Sequence, residues 1–140
     1  MKLPLGLRVG LAIGGLLLIC GCGQAGPQGP PAMPIEGKIV FVRGGEPSSL
    51  GECQAHIELQ AVEQPEVLAF GDIQEDGTFH VATLEDGVVR DGAIEGTHRV
   101  RLDLDDSAQH LVDPRFMSFE TSGLVVKVPS EEPIEVKVWR

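Results

Sequence analysis

From Ile35 to the C-terminus, apolar and polar residues alternate with a period of two in short runs. A chain patterned in this way can bury one side of each run only as β-sheet. "IEGKIVFVR" puts Ile35, Gly37, Ile39 and Phe41 on one face, and "QAHIELQAV" puts Ala55, Ile57, Leu59 and Ala61 inward with His56, Glu58 and Gln60 outward. "EVLAFGDI" and "TFHVATL" flank the acidic turn "QEDG", which predicts a hairpin from Val67 to Leu84 with Phe79 and Val81 buried. "THRVRLDL" sends Val100, Leu102 and Leu104 inside, and "GLVVKV" with "IEVKVWR" predicts a closing pair joined through "PSEEP". These runs make seven strands and no helix, and eighteen Gly and ten Pro supply the punctuation. The expected fold is all-β: a seven-stranded antiparallel β-sandwich, each sheet keeping one solvated face.

With 140 residues the chain has room for one such domain. Its formal net charge is −10, and nine basic against 21 acidic residues, a balance of −12, remain when Lys2 and Arg8 are set aside. The basic footprint of a nucleic-acid binder is therefore absent.

Ahead of the folded part, "MKLPLGLRVGLAIGGLLLIC" has two cations and then an apolar stretch from Val9 to Ile19. That stretch is short for a spanning helix and the right length for the apolar core of a secretory leader, so export is expected. Cys20 and Cys22 lie too close in sequence to close a relaxed disulfide, and no ligand pair at metal spacing accompanies them. "Ile19-Cys20-Gly21-Cys22" resembles a bacterial lipobox, with Cys22 in the position of the acylated cysteine. The resemblance implies a signal peptide over 1–21, lipidation of Cys22 and attachment to the membrane by acyl chains. Two or three such chains hold a protein to a bilayer essentially permanently. Gly23 stands where an Asp would retain a lipoprotein in the inner membrane, so the resemblance favours the outer membrane. Residues 22–34 read as the acylated Cys followed by an extended Gly/Pro linker, and 35–140 as the domain. The three Gly-x-y triplets from Gly23 to Pro31 are far too few for a collagen helix.

The succession "IEGKIVF", "GDIQEDGTFHV", "IEGTHRVRL" and "TSGLVVKVPSEEPIEVKVW" resembles small bacterial lipoproteins that carry a carboxypeptidase-regulatory-like, or transthyretin-like, domain. The likeness covers nearly the whole chain after the leader. It implies a prealbumin-like sandwich without catalytic machinery, acting as a structural, adhesive or protein-interaction module in the cell envelope. Envelope proteins or polysaccharide are the expected partners, with no cofactor. One departure is plain: His98 stands where the pattern has Tyr, and its parity points inward. The related hydrolases of oxidised urate end in "YRGS", whereas this chain ends "VKVWR" and has no Tyr.

Little else in the chain suggests chemistry. Cys53 and His56 could pair a thiol with a base, but three residues apart on a strand they point to opposite faces. Asp103, Asp105 and Asp106 carry oxygens suited to Ca²⁺, yet a calcium loop begun at Asp103 would have Ala108 at its sixth place and Pro114 at its twelfth. No metal site is therefore expected. The irregular stretches are Gly44–Cys53, Glu85–Gly96 and Asp105–Ser122. An alternative function, recognition of a glycan or Ca²⁺, would use loops 85–96 and 103–119. Trp139 is the large aromatic with outward strand parity, while Phe116 and Phe119 are expected to plug one end of the sandwich.

Overall fold

The computed structural model describes residues 31–140. Eleven strands and one short helix follow in order: β1 (Ala32–Met33), β2 (Glu36–Arg43), α1 (Pro47–Glu52), β3 (His56–Ala61), β4 (Leu68–Asp72), β5 (Thr78–His80), β6 (Ala82–Glu85), β7 (Val88–Asp91), β8 (Ala93–Ile94), β9 (Gly96–Asp103), β10 (Leu124–Val128) and β11 (Ile134–Trp139). Two 3₁₀ turns, Gln109–Leu111 and Pro114–Met117, lie between β9 and β10. The strands form a six-stranded sheet in the order β10-β9-β3-β4-β6-β7, a three-stranded sheet β11-β2-β5 and a small pair β1-β8.

The alternation has the physical consequence expected of it. Ala55, Ile57, Leu59 and Ala61 are buried, as are Val100 and Leu102 on the neighbouring β9 and Leu104 just beyond its end. From the facing sheet Ile39, Phe79, Val136 and Val138 join Ile57, Leu59, Val100 and Leu102 in one apolar cluster, so the two larger sheets close face to face over a shared core, while Ala61 packs with Val67 and Ile94 in a smaller one. Gly37 is needed where β2 crosses β5: it is paired with Phe79, and a Cβ at 37 would overlap the ring.

Parity predicts which side of a strand is buried but not which strand lies beside it, and the pairings differ from expectation accordingly. The turn after Ile73 is present, with Gln74 N–H donating to Thr78 C=O at 2.8 Å and Gly77 N–H to Gln74 C=O at 2.9 Å. Beyond it "TFHVATL" divides: β5 pairs with β2 in one sheet and β6 with β4 in the other. Val81 is fully buried at the crossing, which suits a strand that turns the corner of a sandwich.

The two closing strands do not pair with each other either. β10 joins β9 antiparallel and β11 joins β2 in parallel, because "PSEEP" carries the chain from one sheet to the other. Val126 and Val128 thereby face Val136 and Val138 across the core instead of lying beside them. The stretch 85–96, expected to be irregular, holds β7 and β8; Asp86 and Gly87 make a two-residue turn with φ of +49° and +77°. The helix α1, also unexpected, is a single turn with Pro at its start and Leu50 as its one buried residue, too short to show a periodicity. Finally β1, inside the segment expected as linker, pairs with β8, and the chain crosses to β2 so close to Gly92 that a Cβ there would overlap the Met33 carbonyl.

Candidate functional site

Cys22 and Cys20 lie outside the described residues. Cys53 sits at the C-terminal end of α1, half-buried, its thiol donating to the Leu50 carbonyl at 3.3 Å. His56 is exposed on β3, and its Nδ1 lies 2.7 Å from the Asp72 carboxylate. The thiol and the imidazole are thus each committed to a different partner.

Asp103, Asp105 and Asp106 are exposed at the end of β9. Asp106 accepts from the Gln109 amide at 3.1 Å, and the Asp105 carbonyl accepts from Ala108 N–H at 2.8 Å, so these groups serve a turn. Among the described residues no three His, Cys, Asp or Glu side chains converge as a metal site would require. The stretch 103–119 is pinned to the core by Leu104, Ala108, Val112 and the fully buried Phe116, whose ring is edge-to-face with Trp139 at 4.7 Å and 81°. Trp139, expected to face outward, is half-buried, because Phe116 from the 103–119 stretch meets its ring and the indole packs against the edge of the core. Arg101 covers Phe119 at 4.9 Å while Nε donates to Glu58 at 2.6 Å. His98 is buried and donates from Nε2 to the Ile94 carbonyl at 2.8 Å, tautomer assigned from that partner.

Two surface features remain. The first is a cleft of about 660 Å³ where β2 and β5 meet the end of β4, lined by Glu36, Lys38, Asp72, Thr78 and His80 around Phe79. His80 Nε2 is 2.6 Å from Asp91, which makes a second exposed imidazole–carboxylate pair near that of His56. A carboxylate can orient an imidazole for base chemistry, but a nucleophile must stand beside it. The hydroxyl in the cleft, on Thr78, donates instead to Asp76 at 2.6 Å. That hydroxyl and the Thr78 N–H hold the Asp76 carboxyl below its ordinary value. Glu120, bonded to the Ser118 hydroxyl at 2.5 Å, is lowered for the same reason.

The second feature is apolar. Phe70 pairs with Ala82 and Leu84 with Val89, and Leu68 shares the face of Phe70, so one continuous strip crosses the outer side of β4, β6 and β7. Its members are open to solvent: Leu68 37%, Phe70 43%, Leu84 50% and Val89 64% exposed. Scattered exposed apolar residues need no explanation, whereas a contiguous strip on a sheet edge marks a contact surface. Its surroundings are acidic. On that face Asp72 follows Phe70 along β4, Asp91 lies opposite Ala82, and Glu58, bonded to Arg101, lies opposite Phe70. The signal was in the sequence: "VLAF" and "ATLEDGVV" carry large apolar residues at both parities, so one set had to face outward.

Comparison with family models, with curated proteins and with solved structures found no match for this chain.

Proposed function

We propose that the protein is a non-enzymatic interaction module of the bacterial cell envelope, held to a membrane through acylated Cys22. In this reading the leader is removed, the Gly/Pro segment is a spacer, and a transthyretin-like sandwich presents its surface at a distance from the bilayer. The outer membrane is the proposed location. The observation that carries the interaction role is the exposed strip Leu68–Phe70–Leu84–Val89 on a body whose candidate reactive groups, Cys53, His56, His80 and Thr78, are each bonded to structural partners. The anchoring half of the reading rests on the lipobox-like Ile19-Cys20-Gly21-Cys22. No helix among the described residues is long and apolar enough to cross a membrane. Within loops 85–96 and 103–119, which a glycan or Ca²⁺ reading would use, β7 and β8 are ordered strands and Phe116 is buried, while Asp86, Asp103, Asp105 and Asp106 stay exposed.

Metabolic labelling with a clickable palmitate tests the anchor. Label is expected in the wild type and in Cys20→Ala and lost in Cys22→Ala; label retained by Cys22→Ala rejects it. A glycan panel and Ca²⁺ titrated by calorimetry are expected to give no heat, and binding by either would displace the interaction role.

A further inference from the structure

Resting on the interaction-module reading but set apart from the apolar strip, a second surface names a class of partner. We infer that Arg43 and Arg115, held on the ring of Trp139, bind the carboxylates of a short acidic segment of another polypeptide. The guanidinium carbon of Arg43 lies 5.4 Å from the centre of the Trp139 ring and that of Arg115 lies 5.3 Å from it. Residues far apart in sequence meet here. Trp139 is registered with Arg43 in the parallel β11–β2 pair, and Arg140 N–H donates to the Arg43 carbonyl at 3.3 Å. Arg115 arrives from the 3₁₀ turn Pro114–Met117, and Asp113 at the start of that turn donates its N–H to the Trp139 carbonyl at 2.9 Å.

Both arginines are exposed, and among the described residues neither guanidinium is bonded to a carboxylate. The arginines in ion pairs there are Arg90 with Glu85 and Arg101 with Glu58. Arg115 Nε donates instead to the uncharged Thr121 carbonyl at 3.3 Å. The acids nearest Arg115 in its own turn are engaged: Asp113 accepts from the Arg115 main-chain N–H at 3.0 Å, and Glu120 from the Ser118 hydroxyl at 2.5 Å. An indole attracts a guanidinium and restrains it, which lowers the side-chain freedom that binding must otherwise remove, yet leaves the charge in place. The two cations stand within about one screening length of each other, ~10 Å at 0.1 M salt, and so repel. An anion bound between them relieves that repulsion.

Charge and size select the occupant. A guanidinium fork matches a carboxylate, and a segment with a few carboxylates fits within a screening length of the pair. A bilayer or a nucleic acid presents its anions over a far larger area and would meet the rest of a body with 21 acidic residues. The pair also stands where β2 and β11 end, whereas the chain enters the sandwich through β1 and Glu36, at the other end of β2. It is therefore remote from the linker that would lead to a membrane.

The test uses the full chain in non-ionic detergent and two fluorescein-labelled synthetic decapeptides, one alternating Ser with Glu and one alternating Ser with Gln. In anisotropy titrations the Ser/Glu peptide is expected to bind, more weakly as salt is raised, and the Ser/Gln peptide is expected not to. Arg43→Gln and Arg115→Gln should each weaken binding by about two- to fivefold, the range an exposed ion pair allows, and together by about tenfold. Lys127→Gln, beside Thr97 on β10, should leave it unchanged. Unlabelled Ser/Glu peptide should also alter the emission of Trp139, the single tryptophan, because a carboxylate draws the guanidinium groups from the ring. Equal binding of both peptides, or affinity unchanged in both arginine variants, overturns the proposal. Displacement by inorganic phosphate or glycerol phosphate beyond that by sodium chloride at the same ionic strength overturns it in favour of a phosphate ligand. A dimer in sedimentation that Arg43→Gln dissolves overturns it in favour of a second copy. Any of these results leaves the palmitate experiment to stand or fall separately.

Discussion

Phe116 gives the sharpest test of how the sandwich is closed. The 3₁₀ turn Pro114–Met117 drives its ring into the core with no exposed surface, where it meets the edge of Trp139 at 4.7 Å. Replacing a buried Phe with Ala removes its transfer energy and leaves a cavity, together about 3–5 kcal/mol. Of that, about 0.5–1.5 kcal/mol belongs to the aromatic pair beyond burial alone. A body of this size has a total stability on the order of 5–15 kcal/mol, so Phe116→Ala should remove about a fifth of it or more. At about 4 °C per kcal/mol the melting temperature falls by roughly 12–20 °C. Urea unfolding followed by far-ultraviolet circular dichroism measures the single loss. The pair term comes from a cycle of Phe116→Leu, Trp139→Leu and the double variant, with a coupling of about 1 kcal/mol expected. Trp139, the single tryptophan, also reports through its fluorescence, which should shift toward that of exposed indole in Phe116→Ala. A loss under about 1 kcal/mol would show that the stretch 103–119 is a loop laid on the surface and not a plug.

Other substitutions probe the sheets and the turns. At Gly71 a Cβ would overlap the His80 carbonyl where the chain passes from β5 to β6, so Gly71→Ala should cost about 3 kcal/mol, the upper end of the overpacking range, in urea titrations. Gly87→Ala meets nothing within 4 Å and pays only for its φ of +77°, about 1–2 kcal/mol. His98→Phe removes the bond to Ile94 but also the buried Nδ1 that has no partner, so its net cost should be only about 1 kcal/mol by the same assay. Asp76 titrates below its ordinary value near 3.8 in the folded chain because Thr78 bonds its charged form. The stability this confers is present above that ordinary value and is lost as pH falls through the lower folded value. Asp76→Asn should therefore flatten the acid limb of the stability profile, and an unchanged limb between pH 4 and pH 2 would remove Asp76 from the account.

The outward residues show why the surface was harder to read than the core. Val67, Ala69 and Ile73 declare their side by alternation, since burial of one face is decided by solvent and needs no knowledge of neighbours. Leu68 and Phe70 have the opposite parity, and whether another element covers them depends on the order of strands across the sheet. Cys53 and His56 show a similar limit: a strand spacing set them on opposite faces, but Cys53 belongs to the end of α1, and its thiol is held there by Leu50.

Alternation and turn chemistry, both local properties, determined that this chain is mostly β, which side of the longer strands is buried and where Gln74–Gly77 reverses it. Which strands lie side by side was decided only by the tertiary structure. A strand of either sheet satisfies the same period of two, and the choice rests on long-range packing: β11 beside β2, Val81 at the corner, Trp139 against Phe116 and β7 last in the six-stranded sheet of the described residues.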